Sequence, residues 1–435
     1  MLSGSDRGRL KLLLALAAAG LLWRIVVSFV LVPAWETRNA VPAFPDQYPE
    51  LAQSLLERGT LGYDEGRATI TTARGPGFPL WVALGMLVGG NDGRWLGLWS
   101  GVPALILGSV IAGMLHRRYG VLPAATAYAI VTCHPLPSVL GARVLSDEFY
   151  AACGFGAVLL WIRVLRSPEG RWWPLAVGAG ILLALQLLTR STGVLTLIVM
   201  LAAGWMAKPR RWRACLVLAC VAMIPALAWS VRSSKLEGRA VFVHSLAGYN
   251  FWVGEAFDRF GSGWTEQRVW TQSMALIGEK GGLDADSSVR FHYAKLLPHQ
   301  MADLDQRLTR EAIQRIASDP TGYLARVMRG LPRFWFEAQS RRRTLQIVAA
   351  MLPLMILMCI GAWTALRIPG PKDLVVVMSL CLIVSHNVAY AATLPMARMS
   401  VQIFPELAWL CAAGVAAVWV AAAGSPTDND RDADP

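Results

Sequence analysis

The sequence predicts an all-α protein that crosses a membrane many times, and three observations favour this class. Of the 435 residues, 55% are hydrophobic and only 16% are charged, which is typical of membrane proteins. Several apolar runs reach about 20 residues, the length that an α-helix needs to cross a bilayer. Short clusters of Arg and Lys lie at the ends of these runs, as they do on the cytoplasmic side of membrane proteins. The pattern predicts a helix bundle with about ten spans, amphipathic helices beside the membrane and a soluble segment outside it.

The first apolar run, at residues 10–32, predicts an uncleaved span that starts in the cytoplasm. Arg7, Arg9 and Lys11 give it a basic beginning, which favours the inner side. Small residues early in the run resemble a signal-peptide cleavage site. However, the run continues beyond Arg24 and is longer than a signal sequence needs, so we predict a permanent span.

The remaining spans follow from the basic clusters that separate one apolar run from the next. Each such cluster predicts a cytoplasmic turn, so both termini are expected in the cytoplasm. The predicted spans after the first lie near residues 95–115, 121–140, 147–165, 173–189, 193–207, 214–231, 344–366, 373–394 and 402–422. The apolar segment 76–90 is too short to span comfortably. Because a span there would invert all later ones, we interpret it as a re-entrant or surface-lying segment.

This topology divides the chain into four parts. Residues 1–231 form an N-terminal transmembrane module with a large first outside loop at 33–94, and residues 232–343 form a segment outside the membrane. Residues 344–422 hold the C-terminal spans. Residues 423–435 are polar and rich in Asp, which predicts a disordered tail.

Charge and cysteine content argue against several functions. The net charge is +12, but much of the excess lies in clusters at span ends, where it orients helices, so we discount nucleic-acid binding. All seven cysteines fall in apolar segments, and no CxxC pair occurs. The sequence therefore indicates neither a disulfide framework nor a zinc site.

The stretch FPDQYPELAQSLLERG, residues 44–59, predicts an amphipathic helix that lies on the exoplasmic surface of the membrane. Its apolar residues follow a helical period, and Gly59 is a natural helix terminator. Asp46 stands at the start of the stretch, where spacing alone favours an N-cap role, because Asp at that position stabilises a helix. The alternative role for Asp46 is that of a catalytic carboxylate.

Two further outside connections carry charged residues beside the membrane. Arg74 lies in ARGPGFP, where Pro and Gly exclude a helix and make a rigid corner. Asp147 and Glu148 begin an apolar run directly after Ser146, which is a candidate cap. The two acids either stabilise the helix dipole or, with another acid opposite them, supply general-base or metal chemistry.

Arginines at the membrane edge form a complementary set. Arg190, Arg232 and Arg398 each interrupt or adjoin an apolar stretch. A cation in such a place is costly unless it is paired or reaches the interface, so each is a functional candidate by default. Three arginines on the outer face would suit a lipid-linked phosphate.

Two amphipathic helices are predicted late in the outside segment, at residues 303–316 and 323–336. Arg326, Arg329 and Arg333 line the polar side of the second helix. We interpret them as a solvated helix face or as contacts with anionic lipid. The alternative is that they steer an anionic acceptor.

Seven short motifs occur in an order that resembles a known enzyme family. They are DQYPELAQSLLERG, RGPGFPL, HPLPSVLGARVLSDE, LTRSTG, AWSVRSS, VFVHSLAGYNFWVGEA and LPMARMSVQIFPEL. Together they cover nearly the whole chain and are similar to bacterial glycosyltransferases of family 39, the dolichyl-phosphate-mannose protein mannosyltransferase type of the GT-C superfamily. The resemblance implies a GT-C-type helix bundle with a large first exoplasmic loop and a polyprenyl-phosphate sugar as the donor.

The resemblance also implies roles for individual residues. Asp46 corresponds to the catalytic carboxylate, and either Asp147 or Glu148 corresponds to a second acid in the active cleft. Arg398 lies in a segment near the donor phosphate, and Met399 stands where the family commonly has Tyr or Phe. The resemblance implies chemistry without a metal, and we predict no cofactor.

These residues supply what an inverting sugar transfer needs. Asp46 is expected to deprotonate a hydroxyl or amine of the acceptor. Arg74, Arg190 and Arg398 are expected to bind the departing phosphate. The candidate substrate contacts are Tyr48, His244, Tyr249 and Asn250, although His244 is also compatible with an ordinary polar role in a loop.

The predicted protein is a multi-pass glycosyltransferase of the bacterial inner membrane, with its site on the periplasmic side. Its partners would be a polyprenyl-phosphate sugar, the lipid bilayer and a lipid, protein or glycan acceptor outside. The alternative is a transporter or flippase, which predicts a charged midplane site and inverted repeats. The sequence shows neither pattern.

Overall fold

The computed structural model describes residues 4–39, 46–64, 68–168, 171–207, 211–260, 297–338, 340–367 and 373–422. The predicted tail at 423–435 and the middle of the outside segment, 261–296, lie outside these ranges. Within them the protein is almost entirely helical, so the prediction of an all-α membrane bundle is confirmed. A small antiparallel pair, β1 (Gly62–Asp64) and β2 (Ala68–Ile70), supplies the strands of this part of the chain.

The helices up to residue 237 build the N-terminal half. They are α1 (Gly4–Val26), α2 (Val32–Asn39), α3 (Tyr48–Arg58), α4 (Gly77–Gly89), α5 (Gly93–Tyr119), α6 (Val121–Thr132), α7 (Pro135–Ala142), α8 (Asp147–Arg166), α9 (Trp173–Thr189), α10 (Gly193–Met206) and α11 (Trp212–Glu237). A π-helical segment, Val27–Leu31, joins α1 to α2. The second half contains α12 (Ala247–Phe260), α13 (Pro298–Ser318), α14 (Pro320–Phe336), α15 (Arg341–Arg367), α16 (Leu374–Ala392), the 3-10 helix Ala397–Ile403 and α17 (Phe404–Ala422).

Seven helices in the described ranges are long and apolar enough to cross a membrane, fewer than the ten predicted. They are Arg7–Arg38, Gly93–Tyr119, Asp147–Arg166, Trp212–Glu237, Arg341–Arg367, Leu374–Ala392 and Ala397–Ala422. The predicted span 121–140 breaks before Pro135, because proline disfavours a helical conformation in the residue that precedes it. The predicted spans 173–189 and 193–207 form α9 and α10, which have only 17 and 14 residues.

The apolar segment 76–90 forms α4, which packs against α3, α5 and α9. Its 13 residues extend about 20 Å, whereas the hydrocarbon core of a bilayer is about 30 Å thick. Helix α4 is therefore shorter than the hydrocarbon core, which is compatible with the predicted re-entrant or surface-lying segment.

The bundle has two chemically different ends, and α8 runs from one to the other. At its last turn, Arg166 lies 3.8 Å from Asp373, which also pairs with Arg118. Arg211 reaches the same end, where its Nη2 donates to the carbonyl of Ser167 at 2.6 Å. Several of the basic turns predicted from the sequence thus meet at one end, called the basic end here. The first residue of α8, Asp147, lies at the opposite end, called the acidic end.

Glycines allow α15 and α17 to approach closely. A Cβ atom on Gly361 would lie 2.0 Å from the carbonyl oxygen of Leu410, and one on Gly414 would lie 2.1 Å from that of Leu357. Small residues at such contacts are the usual means by which membrane helices bring their backbones together. This contact fixes α17, whose N-terminal end adjoins the 3-10 helix that carries Arg398.

Substituting Gly361 with alanine should therefore lower the melting temperature of the purified protein, because the new methyl group must push α15 away from α17. The expected cost is about 1–3 kcal/mol, as for other overpacked contacts. Gly8→Ala is the matched control, since a Cβ there meets no atom within 4 Å. Equal melting temperatures for the two variants would contradict the close contact.

Candidate active site

Asp46 lies at the acidic end, where it pairs with two arginines instead of capping a helix. The N-cap of α3 is Gln47, and no side chain caps the helix there, so the N-cap prediction for Asp46 is wrong. Its Oδ1 accepts a hydrogen bond from Nη2 of Arg74 at 3.0 Å, and its Oδ2 accepts from Nη2 of Arg398 at 2.6 Å. The carboxylate therefore faces the other charged candidates.

Asp147 continues this arrangement on the far side of Arg398. Nε of Arg398 donates to Oδ2 of Asp147 at 3.1 Å, and Nη2 of Arg190 lies 2.8 Å from Oδ1. The five side chains form one row in the order Arg74, Asp46, Arg398, Asp147, Arg190, which is called the charged row here. Segments that are distant in sequence supply it, because Asp46 and Arg398 are 352 positions apart.

Local structure explains how each segment presents its charge. Arg74 lies in the irregular segment before α4, Asp147 is the first residue of α8, and Arg190 is the residue at which α9 ends. Arg398 belongs to the short 3-10 helix before α17. Charged side chains at helix ends reach the edge of the bundle without crossing its apolar core.

The charged row has one more positive than negative charge. Its carboxylates are the more enclosed partners, since the Asp147 side chain has no exposed surface whereas that of Arg398 is 25% exposed. Burying charges is costly unless each is paired. The arginines keep part of their surface accessible at the edge of the row, and guanidinium groups bind anions with paired hydrogen bonds.

Burial and nearby charges set the protonation states of Asp46 and His244, which both lie outside the spans. Burial by itself raises the pKa of Asp46, but the guanidinium groups of Arg398, Arg74 and Arg190 outweigh it and hold that pKa well below its ordinary value. Burial, together with the charges of Arg74 and Arg190, lowers the pKa of His244 to about 4. At neutral pH Asp46 is ionised and His244 is uncharged.

The structure separates the two adjacent acids that the sequence left as alternatives. Glu148 points away from the charged row into the bundle, where its Oε2 and Oε1 accept hydrogen bonds from Nη1 and Nη2 of Arg24 at 2.7 and 2.5 Å. Arg24 also donates from Nε to the carbonyl of Thr132 at 2.8 Å. Asp147, and not Glu148, therefore lies in the charged row with Asp46.

The other sequence candidates lie at different distances from the charged row. Tyr48 borders it, because its ring lies 5.4 Å from the guanidinium of Arg74. Tyr249 and Asn250 lie in the first turn of α12, where the backbone N–H of Tyr249 faces a carboxylate oxygen of Asp305 at 3.4 Å. Arg232 stacks on Trp229 at 4.1 Å.

Comparison with known proteins agrees with this architecture. The family model for dolichyl-phosphate-mannose-protein mannosyltransferases matches residues 73–229, which include Arg74, Asp147 and Arg190. Among solved structures, the oligosaccharyltransferase AglB from Archaeoglobus fulgidus, in complex with an inhibitory peptide and a dolichol-phosphate, matches with a TM-score of 0.51 and 12% identity. The chain has a GT-C-type helix-bundle fold.

The coverage of these GT-C matches differs between relatives. The match to AglB covers 97% of this chain and 52% of AglB, so the chain spans about half the length of that enzyme. ArnT from Cupriavidus metallidurans bound to undecaprenyl phosphate matches with a TM-score of 0.39 and 14% identity, over 94% of this chain and 78% of ArnT. None of the curated proteins matches the chain in sequence.

Uncharged residues that were not predicted as site residues also contact the charged row. Ser146, predicted as a cap, makes no cap bond, and its Oγ instead accepts from Nη2 of Arg190 and from the Tyr48 hydroxyl, both at 3.2 Å. Gln402 lies 3.4 Å from Oδ1 of Asp147 through its Nε2 and accepts from the Tyr390 hydroxyl at 2.8 Å. The sequence contains a signal for Gln402, because a glutamine inside an apolar run needs a hydrogen-bond partner for its amide group.

Strained backbone conformations lie beside the charged row. Within the described ranges, the non-glycine residues with positive φ are Gln47 (52°), Val144 (53°) and Val243 (64°). Gln47 directly follows Asp46, Val144 lies three residues before Asp147, and Val243 directly precedes His244. A β-branched residue with positive φ is a true outlier, and such strain is concentrated at functional sites.

Proposed function

We propose that this chain is a glycosyltransferase that moves a sugar from a polyprenyl-phosphate donor to an acceptor on the exoplasmic side of its membrane. The observation that carries the proposal is the charged row, which combines two carboxylates with three arginines at one end of a GT-C bundle. The dolichol-phosphate in the AglB complex supports a lipid-linked donor here as well. A sugar on such a carrier already has its leaving group, so the enzyme needs only a base and a phosphate site.

The arginines are the proposed phosphate site. A sugar esterified to a polyprenyl phosphate carries one negative charge, which matches the single excess positive charge of the row. Guanidinium groups bind phosphate oxygens with paired hydrogen bonds, and they stabilise the additional charge that develops as the phosphate departs. The exposed sides of Arg74 and Arg398, which are 18% and 25% accessible, are where this phosphate would bind.

Asp46 is the proposed general base. An oxygen or nitrogen of the acceptor attacks the anomeric carbon, its proton passes to Asp46, and the bond from that carbon to the phosphate oxygen breaks, with the electron pair leaving on the phosphate. Direct displacement of this kind inverts the anomeric centre. Because Arg398 and Arg74 lower the pKa of Asp46, a donor phosphate that neutralises them would make Asp46 more basic. Donor binding thus prepares the base for the acceptor.

The neighbouring uncharged side chains are proposed to contact the sugar. His244 is neutral at pH 7 because its pKa is about 4, so it exchanges hydrogen bonds with hydroxyl groups without adding charge. Tyr48 offers an aromatic face beside Arg74. Tyr249 and Asn250 begin α12, which follows the His244 loop, and they remain proposed contacts for the acceptor side.

The acidic end is proposed to face the periplasm of a bacterial inner membrane. The arginines of the basic end lie at the opposite side of the bundle, and clusters of this kind mark the cytoplasmic side. In this orientation the charged row lies where a polyprenyl-phosphate sugar and a lipid, protein or glycan acceptor meet. We also propose that both termini are cytoplasmic, which requires an odd number of the shorter apolar helices to cross the membrane in addition to the seven long ones.

The proposal is tested with membranes that contain the protein and a panel of radiolabelled polyprenyl-phosphate sugars, covering hexose, pentose and aminosugar donors. Label should pass from one donor into one of three fractions, protein, lipid or glycan, and that fraction identifies the acceptor class. Membranes without the protein provide the background. Absence of transfer from every donor would overturn the proposal and favour a transporter or flippase.

We further infer that sugar transfer proceeds without a divalent metal. The two carboxylates of the row are already neutralised by arginines, and these cations supply the charge stabilisation that a metal would otherwise give. Transfer should retain its rate after treatment with EDTA. A loss of activity in EDTA that Mg²⁺ or Mn²⁺ restores would show that the inference is wrong.

A further inference from the structure

Helix α14 carries an arginine whose environment differs from its predicted one. The sequence predicts that Arg326 lies on a solvated or lipid-facing side of the helix together with Arg329 and Arg333. Arg329, whose side chain is 53% exposed, and Arg333 pair with Asp258, but Arg326 is only 6% exposed. For Arg326 the interpretation as a solvated or lipid-facing residue is therefore wrong.

Arg326 faces the segment that leads to Arg398. Its Nη2 donates to the carbonyl of Thr393 at 2.7 Å. One turn earlier on α14, the hydroxyl of Tyr323 donates to the carbonyl of Ala392 at 3.0 Å. Both acceptors lie where α16 ends, so α14 binds the start of the segment 393–397, which is called the strap here.

The far end of the strap is held by the residue that follows α14. The backbone N–H of Ala397 donates to the carbonyl of Glu337 at 2.9 Å. Residues 393–396 of the strap include Pro395 and have no regular helical structure, so these outside contacts determine their course. Arg398 follows directly, and its place in the charged row depends on where the strap ends.

Two glycines bring neighbouring helices close to the end of α16 and the start of the strap. A Cβ atom on Gly330 of α14 would lie 2.7 Å from the carbonyl oxygen of Ala391. A Cβ atom on Gly254 of α12 would lie 1.7 Å from that of Thr393 and 2.6 Å from Nη2 of Arg326. The strap is thus enclosed by α12 and α14, and Arg326 is the charged group at the contact.

The burial of Arg326 is expensive, which argues against a role in packing alone. Among the residues that the structure describes, its Nε and Nη1 have no hydrogen-bond partner. The guanidinium lies 5.0 Å from the ring of Phe251 and 5.7 Å from that of Tyr323, which offsets part of the cost. An apolar side chain of similar volume would fill the place with less desolvation.

We propose that Arg326 is a positioning residue for sugar transfer, which holds the strap through the Thr393 carbonyl and so keeps Arg398 between Asp46 and Asp147. The proposal rests on the proposed function for its effect on catalysis, but not for its effect on the strap. It makes α14, which supplies no residue to the charged row, a determinant of the row's geometry. Displacement of a catalytic group by about 1 Å can reduce a rate up to 100-fold.

The test compares Arg326→Met and Arg326→Lys with Arg329→Met, an exposed arginine on the same helix. Hydrogen exchange of the purified protein reports on the strap. The amide of Ala397 should exchange at least tenfold faster in Arg326→Met than in wild type, and at the wild-type rate in Arg329→Met. The kcat for sugar transfer should fall about 10- to 100-fold in this variant, with the acceptor KM unchanged. Arg326→Lys, which keeps one donor for Thr393, should restore part of both signals.

The outcomes distinguish the positioning role of Arg326 from the proposed function. Unchanged exchange at Ala397, or faster exchange with unchanged kcat, would overturn the positioning role, as would equal effects of Arg329→Met. If wild-type protein transfers no sugar from any donor, the proposed function fails, while exchange at Ala397 still decides whether Arg326 holds the strap. Should Arg326→Met not fold, Gly330→Ala displaces α14 from Ala391 and is expected to produce the same two effects.

Discussion

Substituting Asp46 with asparagine should reduce sugar transfer by a factor of about 10²–10⁴, the usual contribution of a general base. Asparagine keeps the size of the side chain and can still accept a hydrogen bond from Arg398, but it cannot take up the acceptor's proton. The substitution also raises the excess charge of the row from one to two. The loss should therefore appear in kcat, whereas the donor KM should stay constant or fall. Initial rates at varied donor concentration measure both.

Glu36→Gln is the matched control for this substitution. Glu36 also pairs with an arginine, Arg143, at 3.2 Å, and its side chain is 14% exposed, compared with 12% for Asp46. Since Glu36 is not part of the charged row, its substitution should leave transfer unchanged. Equal transfer by Asp46→Asn and wild type would exclude Asp46 as the base and move that role to Asp147.

The pH dependence of stability gives a second check on Asp46. Its pKa lies below the ordinary value of 3.8 in the folded protein, so its ion pairs contribute their full stability above pH 3.8 and lose it as the pH falls further. The difference in melting temperature between wild type and Asp46→Asn should therefore be constant between about pH 8 and pH 5. Below about pH 4 it should shrink.

Sequence patterns were sufficient for the fold class and for most members of the charged row. Arg74, Asp147, Arg190 and Arg398 all lie at the ends of apolar runs, where a charged side chain is unexpected unless it has a partner. The patterns could not give the pairing. Asp46 and Arg398 come from opposite ends of the chain, and only the packing of the helices brings them together.

Backbone conformation and helix rotation explain why the sequence predicts a wrong role for Asp46 and leaves Asp147 and Glu148 as alternatives. Asp46 was expected to cap α3, but Gln47 adopts a left-handed conformation with φ of 52° and turns Asp46 toward the arginines. Asp147 and Glu148 are adjacent on a helix, so their side chains point about 100° apart and cannot serve the same site. Which of them faces the charged row depends on how α8 is rotated in the bundle, and composition does not encode that rotation.

Arg326 shows a related limit of helical periodicity. The pattern places it opposite the apolar residues of α14, and a polar face usually meets water. Here a second surface, formed by α12 and the end of α16, covers that side of the helix. A periodic pattern reports which residues share a face, but it does not report whether another element packs on it.

The ion pair between Arg24 and Glu148 is expected to show the largest effect on stability. Both side chains are 2% exposed, and their two hydrogen bonds join the first span to α8. Arg24→Leu would leave the Glu148 carboxylate buried without its cation, which typically costs about 3–5 kcal/mol. Thermal unfolding of the purified variant should therefore show a marked fall in Tm.

The double variant Arg24→Leu with Glu148→Leu separates the value of the pair from the penalty of breaking it. Removing both charges also removes the buried unpaired carboxylate, so the double variant should recover most of the stability that Arg24→Leu loses. If the double variant is instead as unstable as the single one, packing around Arg24 is the main contribution and not its charge. Glu148 directly follows Asp147 on α8, so its pairing with Arg24 also influences the rotation of this helix. A double variant that is stable but transfers sugar slowly would show that the ion pair fixes the rotation that directs Asp147 into the charged row.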